Sequence, residues 1–413
     1  MTDTFAAYSV YAYNSQGIGI GMAGTIYDDG ANVTPDPDLK TGLNGDPKVE
    51  GFTNAGGNLS VAVTDYAGTV DRPVYIYQAD DRSLLGTTTW AAVDNLYSLV
   101  TVGSYLYAID YDNARVVEIN PGTYAQTGVS YTLASGLIPS GYTAHGQGLI
   151  EIGGVLYGLF TFVTADWSTY ADSLLVRFAI APGTSITVAS SNGGFARNAF
   201  AMAACGTDLY VAAIGGSQGS SGTPNPASRL QKINAAAANL GTAAIVDVMS
   251  PSVAYPYEFR DISFDGSTAY ILMGTYNASW QLAGKLVKTS DFSTFTTVND
   301  FSGGASGYFW SAQYTADNDR IWFARGNQIL IYAASNLATA PTALTLSVGS
   351  LLSSGEVYDN LNDLSYVGAL GSRRNLRGYR SPLQASRTPR AAQGRALAAG
   401  RPELTDEELA SLA

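Results

Sequence analysis

The sequence predicts an all-β fold built from four-stranded antiparallel sheets repeated around a ring. Three observations carry that expectation. Short strand-like runs follow one another between Gly, Asn, Asp and Pro turns along most of the 413 residues. A marker, a turn followed by an apolar residue and an aromatic, recurs at Gly103–Tyr107, Gly153–Tyr157, Gly206–Tyr210, Gly266–Tyr270 and Asn318–Trp322, its aromatic positions 50, 53, 60 and 52 residues apart. After each marker come a third strand with alternating apolar residues and a fourth, more polar one.

The clearest unit is Asn95–Leu133. LYSLVTVG, LYAID, ARVVEIN and TGVSYTL are its four strands, divided at Gly103-Ser104, Asp112-Asn113 and Pro121-Gly122. One such sheet is too small to bury both faces, and radial stacking of several covers them and leaves only short edges. That architecture is a β-propeller. The pattern over residues 50 to 370 resembles the propeller superfamily with kelch-, NHL- and YVTN-like repeats, although no family-specific motif recurs in every copy. A β-solenoid would need repeats of roughly 20–25 residues.

In chain order, residues 1–50 open with strand-forming AAYSVYAYN and GIGIGMAGTIY, and NVTPDPDLKTGLNGDP, with three prolines, reads as a surface loop. Six units follow at about 50–90, 91–138, 143–192, 195–250, 256–301 and 305–350. Asn362–Tyr366 resembles Arg260–Phe264, an innermost strand, with no further meander after it. The missing strands can come from residues 4–28, which makes seven blades with a composite closing blade. Six blades with the N-terminal strands on an edge is the alternative. Residues 1–370 therefore form the propeller. Residues 371–401 form a basic flexible arm, and 402–413 a short amphipathic C-terminal helix, with Thr405 and Glu408 as a capping box. The insertion GGSQGSSGTPNPAS in the fourth unit reads as a flexible loop.

Net charge is −12, but the eight arginines of 373–401 meet no acid there, which leaves the rest near −20. An acidic body repels phosphate backbones, so the folded part is not expected to bind nucleic acid. The single cysteine, Cys205, excludes an intrachain disulfide and reads as a core thiol. Met1-Thr2-Asp3-Thr4 lacks the basic start of a signal peptide, and no run of apolar residues is long enough for a membrane helix. Low Lys with high Gly, Tyr and Thr leans towards an extracellular or cell-surface protein, with a cytoplasmic one as the alternative.

In a propeller the loops leading into the innermost strands converge on one rim. Here they carry Trp90, Tyr97, Tyr142, His145, Arg197, Asn198, Tyr257, Arg260, Trp310 and Asn362. Rings for stacking beside amide and charged groups are the inventory of a site for a glycan or a protein segment. The competing explanation is that these aromatics pack between blades. His145, the lone histidine, has no G-x-S-x-G elbow to serve. Glu258, Asp261 and Asp363 are the carboxylates a propeller enzyme (glycoside hydrolase, lyase or lactonase-like) would use at the channel. Asp110 and Asp112, and Asp317 and Asp319, place oxygen ligands in turns and make Ca2+ the one cofactor to consider. Neither set completes a calcium loop, and turn formation explains both. In the arm, Arg373, Arg374, Arg377 and Arg380 suit an acidic partner, and Leu404, Leu409 and Leu412 share a helix face for docking or self-assembly. The leading expectation is a non-catalytic binding propeller. A propeller enzyme and a structural subunit of a surface layer or filament are the alternatives.

Overall fold

The computed structural model describes residues 4–369 apart from 14–18, 30–31, 44–46, 55, 65–71, 80, 91–94, 218–221, 308–309, 317 and 347–359. The expectations placed on 371–413, the arm and its terminal helix, lie outside the described residues, as does Asp317.

Seven four-stranded antiparallel sheets form the ring. The blade count begins after the N-terminal segment. That segment supplies β1 (Thr4–Tyr13), β2 (Gly19–Asp28) and β3 (Val33–Leu43). Blade 1 is β4 (Lys48–Thr53), β5 (Leu59–Thr64), β6 (Arg72–Gln78) and β7 (Leu84–Trp90). Blade 2 is β8 (Leu96–Val102), β9 (Tyr105–Asp110), β10 (Arg115–Ile119) and β11 (Gln126–Thr132). Blade 3 is β12 (Thr143–Ile152), β13 (Val155–Val163), β14 (Tyr170–Ala181) and β15 (Ser185–Phe195). Blade 4 is β16 (Ala199–Cys205), β17 (Asp208–Ala213), β18 (Arg229–Asn234) and β19 (Val246–Met249). Blade 5 is β20 (Phe259–Asp265), β21 (Thr268–Tyr276), β22 (Leu282–Thr289) and β23 (Thr296–Asp300). Blade 6 is β24 (Trp310–Thr315), β25 (Arg320–Arg325), β26 (Gln328–Ala333) and β27 (Thr342–Thr345).

Blade 7 is the composite one. Its order is β28-β1-β2-β3, where β28 (Asn360–Ala369) comes from the far end of the chain. β28 packs against β4 on one side and β24 on the other, so it is the seventh innermost strand and closes the circle. The six-blade alternative is thereby overturned. The reading of NVTPDPDLKTGLNGDP as a loop is also corrected, because Val33–Leu43 is the outer strand of blade 7. An outermost strand uses only one row of backbone groups, so it tolerates proline. Two register shifts in the β2–β3 ladder, on either side of the Ala23–Lys40 pair, absorb the irregularity.

One chemical device holds neighbouring blades together at the ring. Ser365 Oγ accepts from Gly51 N (3.0 Å), Glu50 Oε2 from Leu99 N (3.2 Å) and Ser98 Oγ from Leu149 N (3.3 Å). Ser173 Oγ accepts from Ala199 N (3.1 Å), Ser228 Oγ from Phe259 N (3.0 Å) and Asp261 Oδ2 from Ala312 N (2.8 Å). Gln313 Nε2 donates to Leu364 O (3.4 Å). All seven junctions thus have a side-chain to backbone hydrogen bond on top of their apolar packing. An inner strand has only one ladder within its own blade, so these bonds satisfy part of its other backbone edge.

Candidate functional site

Alternating strand direction sends the loops that lead into each inner strand, and the turns between second and third strands, to one rim, here called the upper rim. The other turns emerge on the lower rim. Of the residues expected at the upper rim, Trp90, Tyr97, His145, Asn198, Arg260 and Trp310 are buried. Tyr142 and Tyr257 are half-buried and Arg197 is exposed, 3.4 Å from an exposed Asp172. Asn362 and Asp363 lie on β28, and their side chains fall outside the described residues. Trp310 packs on Phe301 at 5.2 Å between ring centres, and its Nε1 donates to Gly307 O. Asn198 Nδ2 donates to Gly216 O (2.8 Å).

The buried rings nevertheless form a column across three blades. Lys48 Nζ lies 5.2 Å over Tyr97, Tyr97 packs on Tyr111 at 4.7 Å, Tyr111 on His145 at 4.6 Å, and His145 on Trp167 at 4.9 Å. His145 reaches Tyr111 because β12 comes very close to blade 2 beside it. A Cβ on Gly146 would stand 2.5 Å from Ile109, and Gly146 N donates to Tyr111 O. A register shift at Gly146/Gly148 then adds one residue, Gln147, whose Nε2 donates to Thr161 Oγ1.

Burial pushes the His145 pKa down to about 4 from 6.5, with the Tyr111 carbonyl opposing part of the shift. The ring is neutral in folded and unfolded chains above pH 6.5. As pH falls from 6.5 towards 4 the unfolded chain binds a proton that the folded chain refuses, so stability drops by up to about 3 kcal/mol and the loss is complete below pH 4. Urea midpoints measured between pH 7 and 4 should show this dependence, and His145→Asn should flatten it. A variant with the full acid dependence would show that the titration belongs to other groups.

Blade 5 has a second buried assembly. Arg260 Nη2 donates to Glu258 Oε2 (2.7 Å), Arg260 Nε donates to Gly274 O (2.9 Å), and the guanidinium sits 5.1 Å over Tyr276. Glu258 Oε1 accepts from Asn225 N (3.1 Å). Burial raises the Glu258 pKa, and Arg260 holds it back. Asp261 accepts from Ser311 Oγ and Ala312 N on Oδ2, which ties blade 5 to blade 6, and from Ile262 N of its own strand on Oδ1. Asp110 organises its turn by accepting from Asn95 N and Asn113, and Asp319 accepts from Tyr314 Oη and Ser335 N. Asp112 sits half-buried in the same turn as Asp110. Among the described residues no group of three or more His, Cys, Asp or Glu side chains is placed to hold a metal.

Among the described residues, exposed aromatic and polar side chains of the upper rim stand over blades 3, 4 and 5, and sequence reasoning missed most of them. Trp167 and Trp280 occupy the same turn in blades 3 and 5. Trp167 N donates to Thr164 O and Trp280 N to Asn277 O, with φ of 61° and 58°. A signal was there to find: Trp167 and Trp280 each stand 10 residues after the marker tyrosines Tyr157 and Tyr270. Trp167 is half-buried against His145, whereas Trp280 touches Tyr276 at 6.3 Å and stays 54% exposed. Between them runs the blade 4 insertion. Its described parts are not the free loop its composition suggests, because Ser217 Oγ donates to Ser168 O beside Trp167, and Gly222 N donates to Tyr276 O beneath Trp280.

No protein-family model matches the chain, and no curated protein matches it. Solved structures do. A candidate 6-phosphogluconolactonase from Bacteroides uniformis aligns at 13% identity and TM-score 0.54, over 84% of this chain and 98% of that one. The periplasmic gluconolactonase of Pseudomonas aeruginosa aligns at 12% identity and TM-score 0.50, over 86% of this chain and 99% of that one. Identity that low speaks for the fold. The chain is a seven-bladed β-propeller whose last blade is closed by strands from both ends of the sequence.

Proposed function

We propose that this protein is a binding propeller whose upper rim over blades 3 to 5 takes a carbohydrate. Trp280 carries the reading. An indole in the left-handed region costs about 1–2 kcal/mol, which Gly or Asn would largely avoid. Its exposure means that burial does not offset that cost. Strain retained on an exposed aromatic platform suits a ligand-stacking role, with Ser279 and Gln281 beside it for hydrogen bonding and Asn277 shaping the turn. Trp280→Asn should melt within a few degrees of wild type and lose about tenfold or more in affinity for whichever glycan an array identifies. Wild-type affinity in that variant would remove the basis of the reading, and capture of extended peptides instead of glycans would redirect it to a protein ligand.

The enzyme alternative draws on the lactonase names of the two similar structures. It would place Glu258, Asp261 or Asp363 at a reacting centre. Asp261 is engaged in joining blades and Glu258 in a buried ion pair, which favours binding over catalysis. Hydrolysis of gluconolactone by the purified chain above the uncatalysed rate would reverse that preference. A periplasmic neighbour fits an extracytoplasmic setting, and among the described residues no helix is long and apolar enough to cross a membrane. Arg373, Arg374, Arg377, Arg380 and the Leu404, Leu409 and Leu412 face would anchor the propeller or join copies of it. A chain ending at residue 370 tests that role alone, because β28 is left whole.

A further inference from the structure

If the upper rim takes carbohydrate, as proposed above, its two matching turns say which kind. The chain has five tryptophans. Trp90, Trp310 and Trp322 are core residues, and the other two are Trp167 and Trp280. They stand at equivalent positions of equivalent turns, with blade 4 between them. We infer that the ligand is an extended, uncharged polysaccharide that crosses blades 3 to 5, with one sugar stacked on Trp167 and another on Trp280.

Three features of the rim support this. The platforms belong to blades separated by a whole blade, so a ligand that touches both rings has to cross blade 4. Each ring is flanked by polar side chains: Asp166, Ser168 and Thr169 at one, where Ser168 Oγ donates to Asp166, and Asn277, Ser279 and Gln281 at the other, where Asn277 Oδ1 accepts from the Ser279 and Gln281 N–H groups. These groups match sugar hydroxyls, and Arg197, the exposed cation leading into blade 4, is paired with Asp172 at 3.4 Å. The residues outside the Arg-rich segment sum to about −20, which repels a polyanionic glycan. Packing alone does explain other aromatics with positive φ. Tyr124 and Phe292, in lower-rim turns, fold onto Phe52 at 6.2 Å and Tyr210 at 5.5 Å. Trp280 differs from them in staying largely exposed.

The full-length chain should be titrated with cello- and xylo-oligosaccharides from disaccharide to octasaccharide, with polygalacturonate alongside. Affinity should climb about tenfold or more once one chain engages both rings, as expected for linked subsites. Trp167→Asn and Trp280→Asn, which keep a residue suited to positive φ, should each abolish that climb while leaving disaccharide binding at the remaining ring. If Trp167→Asn loses its fold, Trp167→Phe keeps a ring on His145 and should still lower octasaccharide affinity severalfold. Equal affinity for short and long chains, or a Trp167 variant with wild-type octasaccharide binding, overturns the two-platform inference while single-site carbohydrate binding stands. Tighter binding of polygalacturonate than of the neutral chains overturns the uncharged class. Binding of no saccharide at any length overturns the carbohydrate reading as well.

Discussion

A chain that ends at residue 359 should fail to close its ring and lose its cooperative thermal transition, whereas one that ends at 370 should keep it. The shorter chain lacks β28, which pairs with β1 over most of its length and supplies one of the seven inner strands. Leu361 and Leu364 are fully buried there. Losing them removes about 1.5–3 kcal/mol each. Further losses come from the β1 ladder, the Ser365–Gly51 bond and the Gln313–Leu364 bond. The sum rivals the roughly 5–15 kcal/mol that holds a typical domain folded. Circular-dichroism melts and limited proteolysis of the two truncations would check it. A 359-residue chain melting within a few degrees of full length would mean that the ring does not depend on its composite blade.

Arg260→Met should destabilise the protein by about 3–5 kcal/mol, because it leaves the Glu258 carboxylate buried without its cation. The Gly274 carbonyl would also lose its donor from Arg260 Nε. Burial already raises the Glu258 pKa against the pull of Arg260, so in the variant the group should protonate at higher pH. A protonated Glu258 is easier to bury, so the loss should be smaller at pH 5 than at pH 8. Adding Glu258→Gln should recover part of it. Denaturant titrations of the single and double variants at both pH values would measure the effect. Additive losses independent of pH would show that the two side chains act separately.

Much of the architecture could be read from the sequence because it is local. Strand alternation, turn residues and the recurring aromatic marker each lie within a few positions of one another, and together they predict six units close to the blades observed. The composite seventh blade followed from one comparison, Asn362–Tyr366 with Arg260–Phe264. β3 escaped because its prolines read as loop, and only its place at the outer edge of a sheet makes them harmless.

The rim was legible as a location and much less so as a surface. Residues leading into an inner strand alternate between facing one neighbouring blade and the other, and nothing local distinguishes a ring that packs from a ring that shows. Trp90 and Trp310 are buried, while Trp280, not among the expected binding residues, is exposed. The insertion in blade 4 has the composition of a free loop, yet it bonds to turns 49 residues before and 54 after. Repeat length, strand order within a blade, acidic body charge and the basic composition of residues 373–401 were determined by the sequence alone. The tertiary structure decided which aromatics reach solvent, which carboxylates join blades, and which rim turn leaves its ring exposed. Local pattern sets the blade, but exposure depends on the neighbouring blades packed against each side chain.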